Sequence, residues 1–403
     1  MRVVGLIAEY NPFHNGHQYH IEKAKKIANA DFAVVVMSGN FVQRGTPAIM
    51  PKYMRTEAAL NSGADLVIEL PVCYATGTAE QFAFGAISLL EKTGCVDAIC
   101  FGSECGNIDS LSTVAEILCN ESVAYKNALQ TNLRSGMSFP LARQTALDDL
   151  YPKCNYGQLL SEPNNILGIE YIKALKRINT TMEPITIKRE VSHYHDTELQ
   201  EEFSSASAIR NIISTGNFDH LNNQIPCECM PSLKDCYEVR YPVYANDFSL
   251  LLKYKLMNEN STSLNDYADV SEELANRIMN RVNEYVSFEQ FCELLKTKEI
   301  TYSRISRALL HILLGIRKGD NTEIEYARIL GFRKDSSNLL TTIKNLNNIK
   351  LITKLSLDYN LSDDAKRMLD TDIYAANLYE SVLTEKFKTP FTNEFQHAIK
   401  IIL

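Results

Sequence analysis

The sequence predicts an α/β fold, a doubly wound parallel sheet followed by a mostly helical C-terminal part. Three observations predict it. Apolar runs of strand length alternate with amphipathic helical stretches over the first hundred residues. The runs are apolar without interruption, as strands covered on both faces are. After Gly216 the alternation stops, and the rest of the chain reads as helices joined by short polar loops.

The elements run in order along the chain. VVGLIA (3–8) is the first buried strand, and HQYHIEKAKKIAN continues it with helical spacing at Ile21, Ala24 and Ile27. DFAVVVM (31–37) is the second strand. A loop, SGNFVQRGTPAIMP, leads to the helix KYMRTEAALNSG, stopped by Gly63. ADLVIELP (64–71) is the third strand, AEQFAFGAISLLEKTG the next helix, and VDAICFG (96–102) the fourth strand. Helical patterns run from about Ile108 to Arg177. EPITIKR (183–189) is one more strand and SSASAIRNIISTG (204–216) one more helix. The polar stretch NFDHLNNQIPCECMPSLKDC sets a boundary, dividing the chain into residues 1–217 and 218–403.

Composition narrows the function classes. Of 403 residues, 45% are hydrophobic and 22% charged, and no apolar run approaches the length of a membrane span. Glu9 and Asn11 interrupt the N-terminal apolar run, and no basic region precedes it, so a secretory signal is not expected. The ten cysteines show no disulfide-scaffold spacing, which is reduced, cytoplasmic usage. Cys227, Cys229 and Cys236 are the closest group. Their spacing is not that of a standard zinc site, and plain thiols are the simpler reading. The net charge of −8 gives no argument for nucleic acid. Locally, however, residues 303–354 hold ten basic residues against four acidic ones: Arg304, Arg307, Arg317, Lys318, Arg328, Arg333, Lys334, Lys344, Lys350 and Lys354. That is either a solvated helical surface or a phosphate-backbone footprint.

The chemistry is expected where the first strand meets the first helix. His14, His17 and His20 fall within seven residues there. In a doubly wound sheet this junction presents backbone N–H groups and a helix N-terminus to an anion, and Gly16 permits close approach. His14 and His17 can then donate hydrogen bonds to phosphate oxygens and stabilise charge developing at phosphorus. Metal ligation fits less well. No carboxylate sits at helical spacing beside His17 and His20, and HNGH is not a zincin pattern. In the loop after the second strand, Gln43, Arg44, Lys52 and Arg55 are candidate substrate contacts, against the simpler reading of a mobile surface loop. Lys23, two turns into the first helix, is a further candidate.

His14-Asn15-Gly16-His17 resembles the HxGH motif of the nucleotidyltransferase superfamily that includes class I aminoacyl-tRNA synthetases. Ser205-Ala206-Ser207-Ala208-Ile209-Arg210 resembles that superfamily's Ser-Ser-Thr-x-Ile-Arg segment, departing from it at Ala206 and Ser207. GLIAEYNPFHNGH, MSGNFVQRGTPA, ICFGSE and EPNNILGIEYIKAL together resemble the bacterial tRNA(Met) cytidine acetate ligase family. The resemblance implies a nucleotidyltransferase-type Rossmann domain in residues 1–217 and a helical, tRNA-binding part in 218–403. It also implies an activity: acetate activated by ATP to acetyl-adenylate, then acetylation of the wobble cytidine of elongator tRNA(Met). Magnesium would be carried by the nucleotide, and no membrane partner is implied.

By position, the resemblance implies that ATP is bound from Ile7 through Ala8, Glu9, Tyr10, Asn11, Pro12 and Phe13 to His14, Asn15, Gly16 and His17. It adds Gly102, Asn164, Arg189, Ser205, Ser207 and Arg210 to that site, with His14 and His17 catalytic. Read alone, Gly102 is a turn glycine, Arg189 a surface arginine, and Asn164 and Ser205 helix caps. Two other functions stay open on the residues: a small-molecule adenylyltransferase of cofactor synthesis, and a non-catalytic RNA-binding protein on a degenerate nucleotide fold.

Overall fold

A computed structural model of the chain describes residues 1–189, 205–356 and 359–403. Five strands of the N-terminal half lie where the apolar runs place them: β1 (Val3–Ala8), β2 (Phe32–Ser38), β3 (Leu66–Leu70), β4 (Ala98–Ser103) and β5 (Glu183–Lys188). They pair in parallel in the order β3-β2-β1-β4-β5. Side chains alternate between two apolar layers. Val3, Val34 and Val36 face one, Val4, Val35 and Met37 the other. Both faces are therefore covered, which is why the strands read as unbroken apolar runs.

Helices α1 (Asn15–Ala28) and α2 (Lys52–Asn61) cover one face, through Ile21, Ala24, Ala59 and Leu60. Helices α3 (Ala79–Thr93) and α4 (Pro163–Ile178) cover the other, through Phe82, Ala86, Ile169 and Ile172. The glycine stops are real. Gly63 and Gly94 have φ of 101° and 70°, a left-handed backbone that favours glycine. Helix α4 sits close on β4 because residue 168 is glycine. A Cβ there would lie 2.5 Å from the Phe101 ring.

Helix α5 (Ala206–Thr215) comes next. Beyond it the chain is mostly helical, as expected, and also sends three strands back to the same sheet. Strand β6 (Tyr326–Arg333) pairs antiparallel with β3. Strands β7 (Lys350–Ile352) and β8 (Lys400–Ile402) both pair with β6, completing eight strands. These returns are hard to read from sequence. YARILGFR is a short apolar run whose period does not separate a buried strand from a buried helix. Two C-terminal helices matter for the site, α6 (Tyr302–Leu314) and α7 (Asp363–Phe387). The first clamps the loop after β2. Ser306 Oγ donates to the Gly45 carbonyl at 2.8 Å, and a Cβ at Gly45 would come within 2.3 Å of the Arg307 nitrogen. No helix among the described residues is long and apolar enough to cross a membrane.

Candidate active site

The sheet opens at one place. Strand β1 pairs with β2 along its whole length, from Val3–Phe32 to Ala8–Met37, but with β4 only at Val4–Ala98 and Gly5–Ile99. The carboxyl ends of β1 and β4 therefore part. Strand order also reverses here, so this is the switch point at which such folds bind ligands.

The loop leaving β1 is tightly held. Tyr10 takes a positive φ of 49°. Asn11 Oδ1 accepts from the Ile49 N–H at 2.8 Å. His14 then caps α1 with extended backbone (φ −150°, ψ 170°), and its N–H donates to His17 Nδ1 at 3.3 Å. That bond makes Nδ1 an acceptor, so a neutral His17 carries its proton on Nε2. The His14 and His17 rings stack with centroids 3.7 Å apart, and Tyr10 meets the His17 ring edge-on at 4.8 Å. Asn15 is fixed from outside the sheet domain, donating through its backbone N–H to the Gln224 carbonyl and through Nδ2 to that of Asn223, both at 2.8 Å.

All three histidines are held neutral. Burial is the main cause, pushing His14 down to about 3 and His20 to about 4, and His17 well below its ordinary value. The positive charge of Arg189 lowers all three further, and Arg210 adds to the effect on His14. The result is a crevice where guanidinium groups stand near neutral imidazole N–H donors, a combination suited to phosphate.

The structure brings most of the expected residues to this crevice. Ile7 and Ala8 end β1. Gly102 lies near the end of β4 with the Arg189 side chain over it; a Cβ there would lie 3.2 Å from Arg189 Cγ. Arg210 donates to the Asn11 carbonyl at 2.7 Å and to Ser207 Oγ at 2.9 Å, tying α5 to the histidine loop. Ser205 caps α5, its hydroxyl accepting from the Ala208 N–H at 3.0 Å. Ser204, the first residue of SSASAIR, lies outside the described residues. Asn164, in the first turn of α4, donates through Nδ2 to Glu104 at 2.6 Å. Glu104 also accepts the backbone N–H groups of Asn164 and Asn165, at 3.2 and 2.8 Å. Sequence reasoning missed Glu104; its only signal was an acid two residues past a strand end, ahead of a distant helix start.

Other expected contacts lie elsewhere. Lys52 is buried, with Nζ 2.8 Å from both Glu69 oxygens and 2.7 Å from Glu394. Arg55 is buried too, donating to the carbonyls of Glu9 (2.6 Å), Ser38 (3.0 Å), Met50 (3.0 Å) and Gly39. Both cations come after a strand end, as the sequence suggested, but both turn inward and hold the loop. Gln43 ties the same loop to the residue after β1 and to the turn before α3. Its N–H donates to Glu9 Oε1 at 2.9 Å and its side chain to the Gly77 carbonyl at 3.2 Å. The loop is thus clamped rather than mobile, and Arg44 is its exposed cation. Lys23 is half-buried further along α1.

The C-terminal basic stretch is also partly internal. Arg328 is buried beside Glu394 (3.5 Å), while Arg307 pairs with Asp269 (2.8 Å), Arg317 with Asp266 (3.4 Å) and Arg333 with Asp335 (3.1 Å). Of the three clustered cysteines, Cys229 is buried with Sγ 3.9 Å from Ser62 Oγ, while Cys227 is exposed. Among the described residues, no three His, Cys, Asp or Glu side chains gather as a metal site.

A Rossmann-type sheet with paired histidines at its switch point defines a nucleotidyl transferase of the HIGH type, and the HIGH Nucleotidyl Transferase family model matches residues 1–394. The chain is 43% identical over 383 residues to a protein of Thermoanaerobacter sp. (strain X514) named tRNA(Met) cytidine acetate ligase, covering 94% of this chain and 95% of the relative. A protein of the same name from Clostridium acetobutylicum is 41% identical over 413 residues, covering 99% of this chain and all of the relative (100%). Two crystal structures of Thermotoga maritima TmcAL match over 100% of both chains: the apo form with a TM-score of 0.93 at 33% identity, and a form bound with alpha-thio ATP at 0.91 and 32%. The chain belongs to the tRNA(Met) cytidine acetate ligase family.

Proposed function

We propose that this chain activates acetate with ATP and transfers the acetyl group to the exocyclic amine of the wobble cytidine of elongator tRNA(Met), in the cytoplasm. The observation that carries the reading is the stacked, neutral His14–His17 pair at the parted ends of β1 and β4, under the charge of Arg189 and Arg210. Residues 1–217 are the ATP-binding catalytic unit; residues 218–403 contribute to holding tRNA.

ATP lies along the segment from Ile7 to His17, with its adenosine end toward Gly102 and Asn164 and its triphosphate toward Ser205, Ser207, Arg189 and Arg210. An acetate oxygen attacks the α-phosphorus in line and pyrophosphate leaves. The imidazole N–H groups of His14 and His17 donate to the phosphate oxygens on which charge develops. The cytidine amine then attacks the acetyl carbonyl, a C–N bond forms as the nitrogen gives up one proton to water, and AMP leaves with the electron pair of the broken C–O bond. The donor set of imidazole, hydroxyl and guanidinium suits phosphate oxygens rather than a hard cation, so magnesium would be held by the nucleotide's own phosphates. No cysteine or serine nucleophile is needed.

Mass spectrometry of tRNA incubated with the protein, ATP and isotopically labelled acetate tests the proposal. Labelled acetylcytidine at the wobble position is the expected product. Unmodified tRNA, or an adenylated small molecule formed without tRNA, would overturn it.

A further inference from the structure

We infer that the helical hairpin formed by residues 123–134 and 139–150 is a stacking platform for unpaired bases of the tRNA anticodon loop. The inference rests on the proposed function. It adds a surface that neither the crevice nor the C-terminal half accounts for.

The hairpin belongs to an insertion between Ser103, which ends β4, and Pro163, which begins α4. Both feet of that insertion stand at the crevice, tied by Glu104 to Asn164 and Asn165. Its two helices, Val123–Arg134 and Phe139–Leu150, pack on each other. Tyr125, Ala142, Ala146 and Leu147 are fully buried on the inner side. Elsewhere on the hairpin Val123 is 75%, Phe139 54% and Leu141 49% exposed. The chain turns between the helices at Gly136, with φ of 88° and open space around it.

Charge identifies the occupant. From Ser122 to Leu147 there is no Asp or Glu, while Lys126, Arg134 and Arg143 supply three positive charges in a chain of net charge −8. Lys126 and Arg134 are exposed. The Arg143 guanidinium lies 5.6 Å from the centre of the Phe139 ring. An exposed aromatic ring beside cations, on an acid-free surface, fits a single strand, which offers π-faces to stack and phosphates to pair. A protein partner would be met as well by apolar residues without the charge bias. The reaction also calls for such a surface. The amine of a cytidine stacked within its loop cannot enter a crevice, so the base must be splayed out and its neighbours held elsewhere.

The test uses the full chain with Phe139→Ala, Phe139→Trp, Lys126→Ala and Arg134→Ala, none of which touches the crevice. Two rates are read: acetate-dependent exchange of pyrophosphate into ATP without tRNA, and acetylation as a function of the concentration of a tRNA(Met) transcript. Phe139→Ala should raise the KM for tRNA about tenfold, with exchange unchanged, and Phe139→Trp should restore it. Each lysine or arginine removal should make tRNA binding less salt-dependent, lowering the slope against log salt by about 0.7. A wild-type KM for tRNA in Phe139→Ala, or a Trp variant as weak as the Ala variant, overturns the inference. A wild-type protein that neither exchanges nor acetylates overturns the proposed function beneath it, a result distinct from any shift in KM.

Discussion

Two regions of the sheet gather positive charge at strand ends, and they do opposite things with it. Around β3 and β6, Lys52 and Arg328 are buried with Glu69, Glu394 and the Tyr53 hydroxyl, and each charge is met by an opposite charge from the protein. Around β1 and β4, Arg189 and Arg210 stand over three neutral imidazoles, and Arg210 donates to a carbonyl and a hydroxyl. The first arrangement is complete and fastens the C-terminal strands and tail to the N-terminal sheet. The second sets two guanidinium groups beside neutral imidazoles at the parted strand ends, the arrangement on which the proposed phosphate site is built. On the proposed function, what separates the two kinds of cation is what each faces, not its residue type or its distance from a strand end.

The sharpest way to break this comparison is at the histidines. His14→Ala or His17→Ala removes a donor aimed at developing charge, so acetate-dependent pyrophosphate exchange should fall on the order of 10²- to 10³-fold. Stability should change little by comparison. Exchange at the wild-type rate in both variants would mean that the neutral pair is merely packed.

The same residues explain why the sequence distinguished the two regions only in part. The strands were legible because burial on both faces leaves no polar position to blur the runs. HNGH was legible because a glycine between histidines at a strand-to-helix junction has few packing explanations. Lys52 was misleading because its partners are remote, and Arg55 because it turns to backbone carbonyls that no side-chain pattern announces. Glu69 lies 17 residues on, and Glu394 is 341 residues from Tyr53, to which it is bonded. No local pattern announces a partner at that separation. Glu104 was invisible for a similar reason, since the helix start it holds is 60 residues away. Strands β6 to β8 were missed because they are short and join the sheet only through tertiary pairing.

A second prediction sharpens the structural half. Lys52→Ala leaves the Glu69 and Glu394 carboxylates buried without their ammonium partner. It should therefore cost on the order of 3–5 kcal/mol of stability in urea denaturation. At a temperature where the variant is still folded, its KM for tRNA should equal that of the wild type. A stable Lys52→Ala protein with weakened tRNA binding would reverse the assignment and return Lys52 to the substrate surface.

The smallest effect concerns protons. His14 and His20 have folded-state values of about 3 and about 4, against an ordinary 6.5. Between those limits the unfolded chain binds protons that the folded chain refuses, so stability rises with pH and is lost as pH falls below about 6.5. Asp372 has the opposite sign over the same window. Burial pushes its carboxyl up to about 8, so the folded state holds that proton more tightly than the unfolded chain does. The histidine contribution is therefore read as a difference between proteins rather than as a slope. His20 is the cleanest site: it is held neutral by burial and Arg189, and its Nε2 is a buried atom with no hydrogen-bond partner among the described residues. In His20→Asn, the stability lost between pH 6.5 and pH 5 should be smaller than in the wild type by roughly 1–2 kcal/mol. Urea denaturation at the two pH values measures it. Equal losses in the two proteins would show that His20 titrates alike folded and unfolded. Burial and the charge of Arg189 would then not hold His20 neutral, and the neutral group would be confined to His14 and His17.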